Sequence, residues 1–517
     1  MTRTMAGKTT FYVTTPIYYP NDVPHIGHAY TSVATDFVAR YHRLRGEDVF
    51  FLTGTDEHGL KLQRAAEAQG VDPKTWVDSM DPKWREVWAR LEIANDDYIR
   101  TTEPRHEAAV VKLLQAVYEN GRDDIYLGSY EGLYCVSCEL YYTEDDLVDG
   151  KCPVHDRPVE RMSEENYFFR LSAYQDRLLE HYDQNPDAVE PDIRRNEVLS
   201  LIKGGLQDFS ISRTSFDWGI PLPWNPKHVT YVWFDALTNY ITAAGYGSDE
   251  ALFSRIWPAD YHFIGKDILR QHAVYWPAML MAGGVEPPRT VFAHGFLTVG
   301  GKKMGKSNAT GIHPFELIDH FGVDAYRYYF MREVQFGQDG SFSWESMVER
   351  YNADLANGLG NLASRVLAML GSNFGGEIPD ARDPSQAGVL PELVKDVAAR
   401  YDQAMDEVAL SQALQAVWEV VGEANRFLVE REPWAVAKDP ARREELSAVL
   451  YAAAEVLRVL AVFISPIMPR AASNLWAQLG MAEGLAEQRL PHASQWGLLT
   501  PGTRTAKGES LFPRLEE

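Results

Sequence analysis

Cysteine is scarce in this chain of 517 residues, which contains three. So few thiols cannot form a disulfide framework, and an odd number points away from stabilisation by disulfides. All three cysteines fall within residues 135–152. This clustering indicates a local site rather than a framework.

Positive charge is also in short supply. The chain has 50 basic and 73 acidic residues, which give a net charge of −23 and a pI near 5.1. This balance excludes an electrostatic attraction of the whole protein to nucleic acid or to anionic membranes. We therefore expect any contact with RNA to be local.

The sequence shows no sign of export or of a membrane span. The first ten residues, "MTRTMAGKTT", lack the apolar core that signal peptides carry. The longest apolar run, residues 446–468, contains Glu455, Arg458 and Pro466, which favours a buried helix over a span. We expect a soluble cytoplasmic protein that does not contact a membrane.

The composition that remains is that of a folded globular protein, and the length favours about three domains. In the first third, strand-like runs such as "TFYVTT" and "DVFFLTGTD" alternate with helix-like stretches. This alternation predicts βαβ units and a doubly wound parallel sheet. The α/β pattern is interrupted near residue 121 and returns with "VTYVWFDA", predicted as a strand, and "TVFAHGFLTV", predicted as another. After Trp344 only helical periods follow.

The predicted fold is therefore a Rossmann-like doubly wound parallel sheet, split by an insertion and followed by an all-α helical bundle. The predicted segments are the first half of the α/β domain at 1–120, the insertion at 121–228, the second half at 229–290, a lysine-rich loop region at 291–345 and the helical domain at 346–517.

The cysteine stretch has the spacing of a metal site. "CVSC" is followed after thirteen residues by "CPVH", so Cys135, Cys138, Cys152 and His155 form two knuckles. Three thiolates and one imidazole suit a closed tetrahedral Zn²⁺ site, and a filled coordination shell favours a structural role. The insertion is therefore predicted to bind one zinc ion.

Residues 299–308, "VGGKKMGKSN", contain a complete P-loop pattern. A P-loop needs a long helix after its Lys-Ser pair, and Asn308, Gly311 and Pro314 would break such a helix. What remains is a glycine-flanked loop whose lysines could neutralise a polyphosphate. On this stretch alone, a solvated basic turn is the favoured interpretation.

A second stretch, "NDVPHIGHAY", follows the first predicted strand. His25 and His28 are three residues apart and share one face of the first helical turn, and Gly27 lets a ligand approach closely. Two imidazoles at a helix N-terminus can donate to phosphate oxygens. An incidental pair or a metal pair is the alternative, and the position after a strand of an α/β sheet favours a ligand site.

Taken in order, "HIGH" at 25–28 and "KMGKS" at 303–307 resemble the two signatures of class I aminoacyl-tRNA synthetases. Further stretches are similar to the methionyl-tRNA synthetase family: "TTPIYYPN", "TGTDEHG", "YVWFDALTNY", "HFIGKD" and "EPWAVAK". One departure is Gly305, where the family usually has serine in Lys-Met-Ser-Lys-Ser. This replacement also creates the P-loop pattern.

The resemblance implies a methionine–tRNA ligase that forms methionyl-adenylate from L-methionine and ATP with Mg²⁺, then charges tRNA(Met). It implies catalytic roles at the phosphates for His25, His28, Lys303 and Lys306. The implied ATP site adds Gly27, Gly265 and Asp267. The insertion of such synthetases carries knuckles like those found here, which agrees with the zinc prediction.

The implied methionine pocket would hold the substrate ammonium on Asp56. The residues implied to surround the thioether chain are Pro16, Ile17, Tyr19, Trp233, Ala236, Leu237, Tyr240, Ile268 and His272. The Tyr19 hydroxyl and the His272 imidazole are the expected donors to the weakly accepting sulfur. Without the resemblance, Trp233 and Tyr240 are equally well explained as core aromatics, and Asp235 as a structural residue.

In the helical domain, the resemblance implies that Asn361, Arg365 and Trp434 read the anticodon. Amide, guanidinium and indole groups suit splayed bases, although Asn361 and Arg365 alone would be an ordinary polar face. A branched-chain synthetase and a non-catalytic zinc and tRNA-binding paralogue are the alternatives. The first would need a larger editing insertion than about a hundred residues. No dimerising C-terminal module is evident, so we expect a monomer.

Overall fold

The structure is a computed structural model that describes residues 10–120, 123–142, 144–154, 156–299, 302–303 and 312–515. Within these ranges the strands are, in chain order, β1 Thr10–Thr14, β2 Asp48–Thr55, β3 Asp97–Arg100, β4 Ile125–Cys135, β5 Leu140–Tyr142, β6 Glu160–Phe169, β7 Val189–Glu190, β8 Phe209–Ser210, β9 Ser212–Arg213, β10 Pro221–Leu222, β11 Asn225–Thr230, β12 Tyr261–Gly265, β13 Thr290–His294, β14 Leu297–Val299, β15 Lys302–Lys303 and β16 Gly340–Phe342.

The α-helices of the same ranges are α1 Ile26–Leu44, α2 Leu60–Ala68, α3 Pro73–Arg90, α4 Pro104–Asn120, α5 Gln175–Gln184, α6 Asp192–Lys203, α7 Val232–Leu237, α8 Asn239–Ala243, α9 Glu250–Ile256, α10 Trp276–Gly283, α11 Pro314–Phe321, α12 Val323–Glu333, α13 Trp344–Arg350, α14 Asn361–Phe374, α15 Leu390–Asp406, α16 Leu410–Arg431, α17 Pro433–Val436, α18 Arg443–Ile464 and α19 Pro469–Gln478. Two π-helical segments, Gln271–Tyr275 and Tyr351–Gly360, lead into α10 and α14.

The central sheet is parallel and has the strand order β3-β2-β1-β12-β13-β7. Neighbouring residues on one strand face different cores: Tyr12 packs with α4 and α10, whereas Val13 packs with α1 and α3. Because successive side chains of a strand point to opposite faces, this arrangement requires helices on both sides. The predicted doubly wound, Rossmann-like sheet is confirmed.

The insertion separates β1 from its neighbour β12 along the chain. Its own sheet is antiparallel, with β4 and β6 paired over ten residues from Ile125↔Phe169 to Tyr134↔Glu160. Strand β7, although inside the predicted range 121–228, pairs with β13 at the edge of the main sheet. The chain therefore returns to the central sheet before the predicted end of the insertion, and the segment boundaries stay predictions.

Two local predictions were wrong. "VTYVWFDA" was predicted as a strand, but the strand ends at Thr230 and Val232–Leu237 is helical. "TVFAHGFLTV" was predicted as one strand, but it divides between β13 and β14, which belong to different sheets. The division falls at Gly295, where an added Cβ would lie 2.3 Å from the backbone carbon of Gln338. Close backbone packing, which sequence patterns do not reveal, decides this break.

The C-terminal part is helical, as predicted, from α13 through α19. One helical stretch of the described residues, Pro440–Ile464, is long and apolar enough to cross a membrane, but 94% of its most apolar window is buried inside the protein. Glu455 and Arg458 are also buried in it and pair with each other at 2.6 Å. The stretch is thus a core helix of the helical domain, as the sequence indicated.

Two Gly→Ala substitutions should have opposite effects on stability. Gly54 in β2 has no room for a Cβ, which would lie 2.0 Å from the carbonyl oxygen of Ile99. Gly54→Ala should therefore lower the free energy of unfolding by about 3 kcal/mol. Gly422 is exposed in the middle of α16 with open space around it, so Gly422→Ala should raise stability by roughly 1 kcal/mol. Thermal and chemical unfolding of both variants measures the contrast, and equal effects would contradict it.

Candidate active site

A cavity of about 1420 Å³ lies at the carboxyl ends of the central strands. Its walls include Asp56 and Gly295, which directly follow β2 and β13, Pro16, which lies two residues after β1, and Gly265 at the end of β12. Open parallel sheets bind ligands at this edge, because the loops that follow the strands and the N-termini of the next helices supply polar groups there that converge on one space. The cavity is therefore the candidate active site.

The cavity brings together the site residues that the sequence separated by up to 256 positions. All predicted methionine-pocket residues line it: Pro16, Ile17, Tyr19, Asp56, Trp233, Ala236, Leu237, Tyr240, Ile268 and His272. So do five predicted ATP residues: His25, Gly27, His28, Gly265 and Asp267. Lys303 belongs to β15, whereas Gly305 and Lys306 lie outside the described residues. The individual roles stay predictions.

His25 and His28 shape the N-terminus of α1. His25 is the N-cap and accepts from the Gly27 N–H at 3.0 Å, and His28 Nδ1 accepts from the His25 N–H at 3.2 Å. Because each ring accepts at Nδ1, a neutral ring must carry its proton on Nε2. The two rings stack with centroids 3.8 Å apart. The helix thus presents an ordered imidazole pair at its positive end.

Gly27 lies between the two histidines and packs against the His25 ring. An added Cβ would lie 2.9 Å from the His25 ring carbon Cε1. A larger residue at this position would therefore displace the N-cap imidazole.

Asp56 is a buried carboxyl group on the cavity wall. Burial raises the pKa of Asp56 well above its ordinary value, and the nearby carboxylates of Asp235 and Glu139 raise it further. Among the described residues, Oδ1 of Asp56 and the hydroxyl of Tyr19 have no hydrogen-bond partner. Such groups are costly to bury unless a ligand completes them. A ligand ammonium in the cavity would supply the hydrogen-bond donor that Oδ1 of Asp56 lacks among the described residues.

Both ring nitrogens of His272 form hydrogen bonds within the protein. Its Nδ1 lies 2.9 Å from the carbonyl oxygen of Ile268, so Nδ1 carries a proton and donates. Burial lowers the pKa of His272 to about 4, so the ring is neutral and Nε2 accepts from the Tyr240 hydroxyl at 2.8 Å. Both ring nitrogens are thus engaged within the protein in this structure, and a donor role of His272 toward the substrate sulfur stays a prediction. The ring instead fixes the Tyr240 hydroxyl.

Two residues that the sequence reasoning left without a role, His58 and His106, hold the pocket wall α7 in place through Asp235. Asp235, fully buried in α7, accepts from His58 Nδ1 and from His106 Nε2, each at 2.7 Å. His58 follows Asp56 by two residues, and His106 lies on α4. Asp235 therefore connects α7, which carries Trp233, to the segment after β2 that contains Asp56 and His58. "TGTDEHG" contained His58, but nothing in the sequence paired it with Asp235 or His106.

The charges of this cluster support one another. Burial alone would raise the pKa of Asp235, but the His58 and His106 imidazoles lower it to about 2. Burial alone would lower the pKa of His58, but the Asp235 carboxylate raises it. An imidazolium beside a carboxylate is stable in a dry interior only because both are hydrogen-bonded.

The predicted knuckle also lies against the cavity. The sulfurs of Cys135, Cys138 and Cys152 all lie within 4.8 Å of one another, and Cys138 and Cys152 are 3.8 Å apart. His155, the fourth predicted ligand, lies outside the described residues. The Trp233 indole N–H donates to the Cys138 carbonyl oxygen at 3.4 Å, so the cysteine loop supports a pocket wall directly.

In the helical domain, the Arg365 guanidinium lies 5.1 Å from the centre of the Trp434 ring. Trp434 is 41% exposed, which is unusual for an indole and leaves a face for a ligand. Asn361 begins α14 one turn before Arg365. The fold thus brings Arg365 and Trp434 together from α14 and α17.

Comparison with known proteins assigns the chain to a family. The family model for class I tRNA synthetases (M) matches residues 11–161 and 154–367, and the model for the anticodon-binding domain of methionyl tRNA ligase matches residues 378–517. The chain belongs to the methionyl-tRNA synthetase family. The class I signatures and the Trp434 surface thus fall within separate family models.

Individual relatives are similar to this chain over nearly its whole length. A methionine–tRNA ligase of Streptomyces coelicolor is 52% identical over 99% of this chain and 98% of the relative. One of Caldanaerobacter subterraneus is 49% identical over 98% of this chain and 79% of the relative. The Mycobacterium tuberculosis methionyl-tRNA synthetase in complex with methionyl-adenylate superposes with a TM-score of 0.94 at 46% identity, covering 98% of this chain and 100% of the other.

Removing the Asp235 charge should make stability depend less on pH. The carboxylate contributes stability above its unfolded pKa near 4, and this contribution is lost as pH falls toward 2. The raised pKa of His58 contributes stability at low pH that is lost as pH rises through the folded value. Asp235→Asn should therefore lose about 2 kcal/mol near pH 5 and less above pH 8. Unfolding curves from pH 5 to 9 test this, and a constant difference would contradict it.

Proposed function

We propose that the chain activates L-methionine with ATP to methionyl-adenylate, releasing pyrophosphate, and transfers the methionyl group to the terminal adenosine of tRNA(Met), releasing AMP. The observation that carries this proposal is the single cavity that contains the HIGH histidines, the orphaned Asp56 carboxyl and an aromatic pocket. Family membership over nearly the whole chain supports it. The alternative of a branched-chain synthetase has no support in these matches.

The pocket is suited to the amino acid. The methionine ammonium binds Asp56 and donates to the carboxyl oxygen Oδ1, which has no hydrogen-bond partner among the described residues. The thioether chain lies among the aromatic and aliphatic side chains of Trp233, Leu237 and Tyr240, which match a polarizable apolar group. The Tyr19 hydroxyl is the donor available for recognition of a weak acceptor.

The first step is attack of the methionine carboxylate on the α-phosphorus of ATP. His25 and His28 donate N–H groups to phosphate oxygens from the N-terminus of α1, whose dipole favours negative charge. Lys303 and Lys306 neutralise the charge that develops as pyrophosphate leaves. Mg²⁺ enters with ATP as part of the substrate. Positioning and charge stabilisation supply most of the rate, because no covalent enzyme intermediate is needed.

Recognition of tRNA takes place at a second location. Asn361, Arg365 and Trp434 read and stack anticodon bases, with the exposed Trp434 face as the platform. Because the chain carries a net charge of −23, this contact depends on local cations such as Arg365 rather than on the overall field.

The cysteine loop binds one structural Zn²⁺ ion through Cys135, Cys138, Cys152 and His155. Zn–S bonds of about 2.3 Å in a tetrahedron place sulfurs roughly 3.8 Å apart. The Cys138–Cys152 separation of 3.8 Å fits this geometry. The ion holds together a loop that supports Trp233, while His25, His28 and the substrate carry the chemistry. The protein works as a cytoplasmic monomer.

Methionine-dependent ATP–pyrophosphate exchange tests the function. Of the twenty amino acids, methionine should support exchange, and Asp56→Asn should lower kcat/KM for methionine roughly 100-fold, because a charge-assisted hydrogen bond is lost. The variant should unfold at no lower temperature than the parent, since it removes a carboxyl group whose charged form is disfavoured by burial and by the nearby Asp235 and Glu139. Asp72→Asn, at the exposed N-cap of α3, is the control. If none of the twenty amino acids supported exchange, the result would favour the alternative of a non-catalytic zinc and tRNA-binding paralogue.

Zinc should be present at about one ion per chain in protein purified without chelators. Chelation should raise KM for methionine and lower the stability of the insertion, because the loop whose Cys138 carbonyl oxygen accepts from the Trp233 indole N–H loses its crosslink. Elemental analysis and exchange kinetics before and after chelation measure both effects. A metal content near zero in fully active protein would contradict the assignment.

A further inference from the structure

A fully buried arginine lies where three parts of the molecule meet. Arg327, on α12, donates from Nη2 to Asp36 Oδ2 at 2.6 Å. Asp36 belongs to α1, the helix whose N-terminus carries His25 and His28. Arg327 is thus tied by charge to the helix that supports the phosphate-binding histidines.

The other donors of Arg327 reach across to the helical domain and to the end of α3. Nε donates to the carbonyl oxygen of Ile467 at 2.8 Å, and Nη2 donates to that of Pro466 at 3.0 Å. Nη1 donates to Leu91 at 3.0 Å and to Glu92 at 3.4 Å. A planar guanidinium can hold several acceptors in fixed directions, which a lysine cannot. The side chain therefore fixes the α18–α19 turn against α1.

The same face of α12 also holds the beginning of α19. Asp324, one turn before Arg327, accepts from the backbone N–H of Ala471 at 2.5 Å. Arg327 thus binds the carbonyl groups on one side of the α18–α19 turn, and Asp324 binds an N–H group on the other side. The two side chains together fix the α18–α19 turn to α12 by hydrogen bonds.

The partner Asp36 is itself fully engaged. It accepts from Arg40 at 2.7 Å and from the backbone N–H of Ala94 at 2.7 Å. Burial would raise the pKa of Asp36, but the charges of Arg327 and Arg40 lower it, so the carboxylate is ionised. Breaking such a buried pair leaves an uncompensated charge and is strongly destabilising. A pair of this kind keeps one geometry.

We infer that Arg327 is a positioning residue for tRNA charging, which fixes the helical domain that carries Trp434 against the helix that carries His25 and His28. This inference rests on the proposed function. A tRNA bound at both of its ends gains affinity only if the two sites are held at the correct separation. We call the contacts of Arg327 and Asp324 with the α18–α19 turn the seam. A rigid seam maintains the separation of the two sites. If the seam were loosened, the anticodon would still bind, but the acceptor end of the tRNA would not be held at the active site.

The test is Arg327→Lys. This substitution keeps the positive charge beside Asp36 but removes the guanidinium N–H groups that donate to the carbonyl oxygens of Pro466 and Ile467. The kcat/KM for tRNA in aminoacylation should fall about tenfold, because the second contact is no longer held at its effective concentration. Methionine-dependent exchange without tRNA should change less than twofold. The loss should also disappear in a Trp434→Ala background, because the two substitutions then remove the same advantage.

A matched control separates positioning from general stability. Arg458 is also buried and also binds a carboxylate, Glu455 at 2.6 Å, together with the carbonyl oxygens of Ala493 and Gln495, but all of these lie inside the helical domain. Arg458→Lys should therefore lower stability as much as Arg327→Lys while leaving kcat/KM for tRNA within about twofold of the parent. Asp324→Ala provides a second variant of the seam if Arg327→Lys does not fold.

An equal loss in Arg458→Lys, a matching loss of exchange in Arg327→Lys, full additivity with Trp434→Ala, or an unchanged kcat/KM for tRNA would each overturn the inference. Failure of the unsubstituted protein to charge tRNA would instead refute the proposed function, so the two failures are distinguishable.

Discussion

The structure depends on the parallel pairing of β1 with β12, strands that the insertion separates along the chain. Tyr12 N–H donates to Asp260 Oδ2 at 2.7 Å across 248 residues, and the register then continues with Val13↔Tyr261 and Thr14↔His262. This pairing places the carboxyl ends of both halves at one edge. Without it, the HIGH helix and the Trp233 wall would not enclose a common cavity.

Burial of charge gives this cavity its chemistry. Asp56 is buried on the cavity wall, and Asp235 and Glu139 are buried close enough to raise its pKa; an interior of low polarity cannot hold three carboxylates without compensation. Asp235 is compensated by His58 and His106, and Glu139 accepts from the Lys61 N–H and the Tyr134 hydroxyl. Asp56 keeps an oxygen without a partner among the described residues. The protein thus satisfies the charges that hold the walls and leaves a carboxyl group for a ligand.

The insertion and the helical domain both contact the catalytic part through backbone carbonyl groups. Trp233 binds the Cys138 carbonyl oxygen of the insertion, and Arg327 binds the Pro466 and Ile467 carbonyl oxygens of the helical domain. Backbone acceptors lie at positions fixed by the fold, so these contacts transmit the placement of a whole loop rather than of one flexible side chain. This explains how segments outside the sheet can set the shape of the site.

The sequence by itself determined the doubly wound sheet and the helical C-terminal part, because hydrophobic periods are local properties, and its motifs carried the resemblance that implied the family and many of the residues that line the cavity. The tertiary structure decided what depends on distant partners. Val232–Leu237 is helical, although its β-branched and aromatic residues favour a strand, and Asp235 within it is anchored by His58 and His106. The tautomer of His272 follows from Ile268 and Tyr240, and the role of Arg327 from carbonyl groups that carry no side-chain signature. Such contacts join residues far apart in the chain, and no local pattern specifies them.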